Sequence, residues 1–154
     1  MSIEPVIRHA THDDLAVIIE LDATAREAVA SQRGGRNWLV EHAPAKLLNS
    51  DEFITHSWVG TFEDHVVGFL RCTLQDVPQH GLVCSVERVF VDANARELGF
   101  GDALLQHAIE HATNLGCVAI EGNALPGDRE TKNLYERAGI VARKIIVSRQ
   151  LNQG

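Results

Sequence analysis

The segment Arg96-Glu97-Leu98-Gly99-Phe100-Gly101-Asp102 spells R-x-x-G-x-G between a β-branched, apolar stretch ending at Val91 and an amphipathic helix pattern. Glycines at the opening of a helix remove side chains that would hold a ligand off the backbone, and the first N–H groups of a helix have no partner within it. These amides lie at the positive end of the helix dipole, so the segment predicts a site for a phosphate-bearing ligand. A dinucleotide-binding βαβ unit uses glycines the same way, and Glu121 stands about where its ribose-binding acid belongs. Leu104 occupies the place of that unit's third glycine, 7 residues separate Val91 from Gly99, and too little chain follows for a doubly wound sheet. The remaining plain reading is a turn that needs glycine for backbone reasons alone.

Two further side chains could move protons. Tyr135 lies beside the seam formed by Leu134 and Ala138, so its ring can be half covered while its hydroxyl reaches a cleft; an interior tyrosine is otherwise a packing residue. Glu87 sits in a strand pattern where Ser85, Glu87, Val89 and Val91 share a face, and a carboxylate among valines is a candidate general base toward an ammonium, through a water. The alternative for Glu87 is an ion pair with Arg71 on the neighbouring strand.

Together R-x-x-G-x-G and Leu134-Tyr135-Glu136-Arg137-Ala138-Gly139-Ile140 resemble the GNAT family of N-acetyltransferases. The resemblance implies acetyl-coenzyme A as co-substrate, with no metal. Backbone groups of Val89, Phe90 and Val91 would meet the pantetheine arm in a gap between strands 82–91 and 117–122. Arg96 and the amides of Glu97, Leu98, Gly99, Phe100, Gly101 and Asp102 would hold the pyrophosphate. It further implies Tyr135 as general acid toward the thiolate, with Glu87 as base and direct attack by a primary amine. Three departures stand out. Glu97 and Asp102 bring negative charge near a pyrophosphate, Asp128 replaces a cofactor-binding Asn, and the terminal hairpin is short, so part of the acceptor wall could come from a second subunit. A runner-up function is an acyl-coenzyme A sensor or regulatory domain with little catalysis.

Periodicity and caps predict the framework around these groups. Residues 3–9 predict a strand, Thr11 to Asp14 a capping box, and Leu15, Ile18, Ile19, Ala25 and Val29 a helix from about 12 to 30. A short helical stretch is expected near 44–49 and strands at 56–62, 65–74 and 82–91, with a turn at Glu63-Asp64. A helix over 99–115 presents Phe100, Leu104, Ala108, Ala112 and Leu115 on one face, followed by strand 117–122. Asp128 as N-cap and Gly139 as C′ residue delimit the Tyr135 helix, and a last strand falls within 140–151. The order β-α-α-β-β-β-α-β-α-β makes an α/β layer fold in which helices cover a mixed, twisted and partly splayed β-sheet.

The chain has 154 residues, 45% of them hydrophobic, enough for one domain spanning 1–154 with one core. No apolar run is long enough for a membrane span and no signal-peptide pattern opens the sequence, so a cytoplasmic protein is expected. Cys72, Cys84 and Cys117 lack metal-ligand spacing and read as reduced core thiols. The net charge of −7 argues against a nucleic-acid partner and favours a cationic substrate. His107 and His111 have the i,i+4 spacing of a zinc pair but no third ligand in reach, so they read as exposed helix surface.

The acceptor is expected at Ser31-Gln32-Arg33-Gly34-Gly35-Arg36-Asn37-Trp38, a flexible, basic segment that could close over a substrate. Arg33, Arg36 and Trp38 there would suit an amine that also carries a carboxylate, an amino acid or peptide N-terminus, with other small amines equally compatible. The alternative is a plain surface connection. A homodimer is compatible with the pattern.

Overall fold

Alternating β-branched residues build the centre of the molecule. The computed structural model describes residues 4–152 and contains one five-stranded sheet in the order β1-β2-β3-β4-β5. The strands are β1 (Val6–His9), β2 (Ser57–Phe62), β3 (His65–Val77), β4 (Gly81–Val91) and β5 (Ala119–Gly122). The first four are antiparallel and β5 runs parallel to β4. Glu63 and Asp64 both adopt positive φ, 49° and 66°, as the tight turn joining β2 to β3 requires.

Helices cover both faces. On one lie α1 (Leu15–Ala30), the short α2 (Gly35–Glu41) and α3 (Ser50–Thr55); their core joins Ile18, Leu21 and Phe53 to Val59 and Phe69 of the sheet. On the other lie α4 (Phe100–Asn114) and α5 (Arg129–Arg137), whose core joins Leu104, Leu105, Ala108 and Leu134 to Trp58, Leu70 and Val86. The Thr11 amide donates to Asp14 at 2.8 Å, closing the expected box ahead of α1. No helix among the described residues is long and apolar enough to cross a membrane.

Four expectations are corrected. The segment expected to be a flexible loop after α1 is a turn over 31–34 that runs directly into helix from Gly35. Only the turn through Gly34, at φ +79°, separates α1 from α2, and Gly35 is buried where a Cβ would stand 1.9 Å from the Val29 carbonyl oxygen. That glycine is required by close packing rather than for mobility. Leu115 is 43% exposed because it follows the last turn of α4. His111 is half-buried rather than free surface, its Nε2 lying 3.0 Å from His56 Nδ1 and its ring 4.9 Å from Trp58.

The last strand does not form. Ile140 packs at the edge of the α4-side core, but residues 141–152 belong to no helix or strand. Periodicity measures readiness to pair, and a strand needs a partner that pattern alone does not supply.

Candidate functional site

β4 creates the site by leaving its neighbour. The β4–β5 pairing runs from Val83↔Ala119 to Val86↔Gly122 and stops there, while β4 continues to Val91. From Arg88 to Val91 the strand is paired on the β3 side only, and backbone left unpaired in a sheet favours a ligand that can bond to it. A cleft of about 330 Å³ opens there, lined by Val89, Phe90 and Val91 and by residues of α1, α4 and α5.

A register shift decides where side chains point. The β3–β4 pairing passes from Arg71↔Arg88 to Cys72↔Val86, so Glu87 is the extra residue of a β-bulge. Alternation breaks at that point: Cys84, Val86, Val89 and Val91 pack on the α4-side core, whereas Arg88 reaches Asp22 of α1. The expected common face for Glu87, Val89 and Val91 is therefore corrected, because an inserted residue inverts the parity of the strand beyond it.

Glu87 lies in a network of ion pairs. Its Oε1 and Oε2 accept from Arg88 Nε at 2.8 and 2.9 Å, and Oε2 also accepts from Arg71 Nη1 at 3.0 Å. Arg88 in turn donates from Nη1 to Asp22 Oδ1 at 2.9 Å and from Nη2 to the Ala43 carbonyl. The second Asp22 oxygen accepts the Ala45 amide at 2.9 Å. Arg88 and Asp22 are both buried, so each needs the other. Glu87 lines the cleft, and its Oε1 accepts one hydrogen bond against two at Oε2, which leaves Oε1 capacity to accept another.

The end of the cleft expected to take a phosphate is made of backbone. Gly99, at φ +89°, turns the chain into α4, and none of the amides from Glu97 to Asp102 donates to a loop or turn carbonyl among the described residues. Gly101 serves a second purpose: a Cβ there would touch Leu134 at 3.4 Å, so it faces α5 rather than the ligand side. Arg96 bonds the Val91 carbonyl at 3.3 Å, pairs with Glu130 at 3.5 Å and lies over Phe90. Asp102 pairs with Arg137 at 2.9 Å, which offsets the charge that otherwise opposes a pyrophosphate. Val89, Phe90, Val91, Arg96, Glu97, Gly99, Phe100, Gly101, Asp102 and Asp128 all line the cleft; Leu98 does not.

Tyr135 stands between the two ends. It is buried, it lines the cleft, and its ring lies across β5 so closely that a Cβ on Gly122 would be 2.3 Å from Cζ and 2.4 Å from the hydroxyl. Burial pushes its phenol well above the ordinary value, with Cys72 and Asp128 adding to the shift, so it stays protonated. Asp128 caps α5, accepting from Thr131 N at 3.1 Å and Thr131 Oγ1 at 2.7 Å.

Of the residues expected to meet an acceptor, Trp38 lines the cleft and stacks on His42 at 4.3 Å, whereas Arg33 and Arg36 are exposed and outside its lining. Sequence reading missed Asp22, Arg88, Gly122 and Gln32. The first had a signal: Asp22 lies four residues after Ile18 on the apolar stripe of α1, where a carboxylate calls for a partner. Gln32 had none; its Oε1 is buried without a hydrogen-bond partner, in a residue that lines the cleft. No group of three or more metal-ligating side chains occurs among the described residues.

Comparison with known proteins agrees with this geometry. The model described as the acetyltransferase (GNAT) family matches residues 17–140. A curated relative, glucosamine 6-phosphate N-acetyltransferase 1 of Oryza sativa subsp. japonica, is 35% identical over 65 residues; the match covers 42% of this chain and 38% of the rice protein. Among solved structures, ribosomal-protein-alanine N-acetyltransferase from Brucella melitensis biovar Abortus 2308 is similar with TM-score 0.72 and 18% identity, over 98% of this chain and 100% of that one. AAC(6')-Iy in complex with the bisubstrate analogue CoA-S-monomethyl-acetylneamine gives TM-score 0.71 and 18% identity, over 97% and 100%. At these identities the solved structures speak to the fold.

Proposed function

The chain belongs to the acetyltransferase (GNAT) family, and on that premise we propose that it transfers the acetyl group of acetyl-coenzyme A to a primary amine by direct attack. The observation that carries this reading is the convergence of three features on one cleft: the singly bonded β4 backbone beyond Val86, the free amides of Glu97 to Asp102, and the protonated phenol of Tyr135.

In this reading the helix amides and Arg96 bind the pyrophosphate, and the backbone of Val89 to Val91 bonds the amide-bearing pantetheine arm. A β4 N–H near Val89 polarises the thioester carbonyl. The amine lone pair forms the new C–N bond, the proton it sheds passes through a water to the open lone pair of Glu87, and the C–S bond breaks. Tyr135 gives its proton to the departing thiolate. The acceptor enters between α1 and β4, where the Gln32 carbonyl oxygen and the Trp38 ring are available to it. The exposed Arg33 and Arg36 are assigned the outer selection of an acceptor carboxylate, and amino acids, peptide N-termini and small amines are the acceptor classes that fit.

Calorimetric titration with acetyl-coenzyme A, followed by thiol release over a panel of these amines, tests the assignment. Binding and turnover are expected, and Tyr135→Phe should retain cofactor affinity while losing roughly ten- to thousand-fold in turnover. Failure to bind acetyl-coenzyme A would sink the assignment; binding without turnover on any amine would favour the sensor reading.

A further inference from the structure

Two histidines far apart in sequence meet outside the cleft. His56 lies between α3 and β2, His111 lies on α4, and folding brings His111 Nε2 to 3.0 Å from His56 Nδ1. The helical neighbour His107 is not part of the contact, because its Nδ1 bonds back to the Ala103 carbonyl at 3.0 Å. Buried Trp58 lies against the pair with its ring 4.9 Å from that of His111, and exposed His9 flanks both, 5.2 Å from Trp58 and 6.3 Å from His111. Neither His56 nor His111 lines the cleft, so acetyl transfer gives the pair no task.

The chemistry of the pair suits a metal ion. Burial favours the neutral imidazole in both rings, with Arg71 adding to the effect at His56, and His56 and His9 adding to it at His111. Neutral imidazole is the form that ligates. Two nitrogens each about 2.1 Å from one ion stand about 3.0 Å apart when they subtend a right angle and about 3.4 Å apart in a tetrahedron. The separation of 3.0 Å matches the right angle, which is the geometry of tetragonal Cu²⁺ and Ni²⁺.

The proton between the rings has somewhere to go. The ring that donates can adopt its other neutral tautomer, with the proton on the outer nitrogen, so that both inner nitrogens present lone pairs and no net proton is released. Among the described residues no group of three or more metal-ligating side chains occurs, so water fills the remaining positions around an ion held here.

We propose that His56 and His111 form a two-histidine site for a divalent cation of the copper and nickel class, bonded by His56 Nδ1 and His111 Nε2 and otherwise by water. The ion ties α4 to the start of β2, and nothing in this depends on the reaction catalysed.

Calorimetric titration of the full chain with Ni²⁺ at pH 7.5 should find one saturable site, and the thermal midpoint should climb with ion concentration. Bound Ni²⁺ should quench Trp58 fluorescence; Trp58→Phe should keep the binding and lose that quenching. His56→Gln and His111→Gln should each weaken binding on the order of a hundred-fold, because each removes one arm of a chelate, whereas His107→Gln should bind as wild type does. Circular dichroism checks that the variants are folded. The wild-type Cu²⁺ complex gives a readout that needs no substitution: its paramagnetic resonance spectrum should carry two equatorial imidazole nitrogens. Lack of a saturable Ni²⁺ site, wild-type affinity in folded His56→Gln or His111→Gln, or a Cu²⁺ spectrum without that pair of nitrogens would overturn the proposal.

Discussion

The two faces of the sheet hold their working groups by different physics. On the α1 side, Arg71, Glu87, Arg88 and Asp22 form an electrically neutral chain of guanidinium and carboxylate groups, buried most deeply at Arg88 and Asp22. On the α4 side, Tyr135 sits in an apolar core and is located by shape, its ring filling the space left by the missing side chain of Gly122. Mutual charge fixes a side chain through partners that cannot be lost singly. Shape fixes it through volume, so a single added methyl suffices to displace it.

The contrast predicts that variants of the buried Arg88–Asp22 pair act mainly on stability and those around Tyr135 mainly on turnover. The largest effect should come from Asp22→Ala, which strands Arg88 in the interior and should cost about 3–5 kcal/mol of unfolding free energy. Urea denaturation measures it, and a loss below about 1 kcal/mol would show that the network does not hold this face together.

Gly122→Ala should cost less stability, about 1–3 kcal/mol for an overpacked contact, yet it should reduce turnover as Tyr135→Phe does. If the two substitutions are combined and their losses multiply, Gly122 acts on something other than the tyrosine, because groups that work as a unit do not add. Wild-type turnover in Gly122→Ala would remove shape as the device that places the phenol.

The smallest effect belongs to the histidines between the faces. Burial holds His56 and His111 below the ordinary histidine range; Arg71 adds to the shift of His56, and His56 and His9 add to that of His111. Their folded-state values are depressed, so the unfolded chain binds protons first on acidification. Stability should therefore be complete above about pH 6.5 and fall as the pH drops below it. Thermal midpoints tracked from pH 7.5 to 5 should show this decline, and the double substitution His56→Gln with His111→Gln should flatten it. An equally steep decline in that variant would transfer the effect to other groups. The carboxyl of Asp14, lowered chiefly by its bond to Arg8, loses its stabilising contribution only in a separate, more acidic window.

Most of the local structure around the proposed phosphate site was legible in the residues. Gly99 is needed for a left-handed turn, Asp128 and Gly139 bracket α5, and unpaired amides arise at the start of any helix, all of them properties of local chain. The proposed acceptor side was legible only in part. Glu87 and its alternative partner Arg71 stood in the sequence, but Arg88 and Asp22, 66 residues apart, become neighbours only after folding.

The order and bounds of most elements, the family pattern, and the residue types able to move a proton or meet a phosphate are all written in the chain itself, because periodicity, caps and turns act over a few residues. Long-range packing set the facing of Glu87 through a one-residue bulge, the role of Gly35 and Gly122 through close approach of distant groups, and the fate of 141–151. A strand exists only when another strand is beside it, and that condition is set by what occupies the neighbouring edge, not by the pattern of the segment itself.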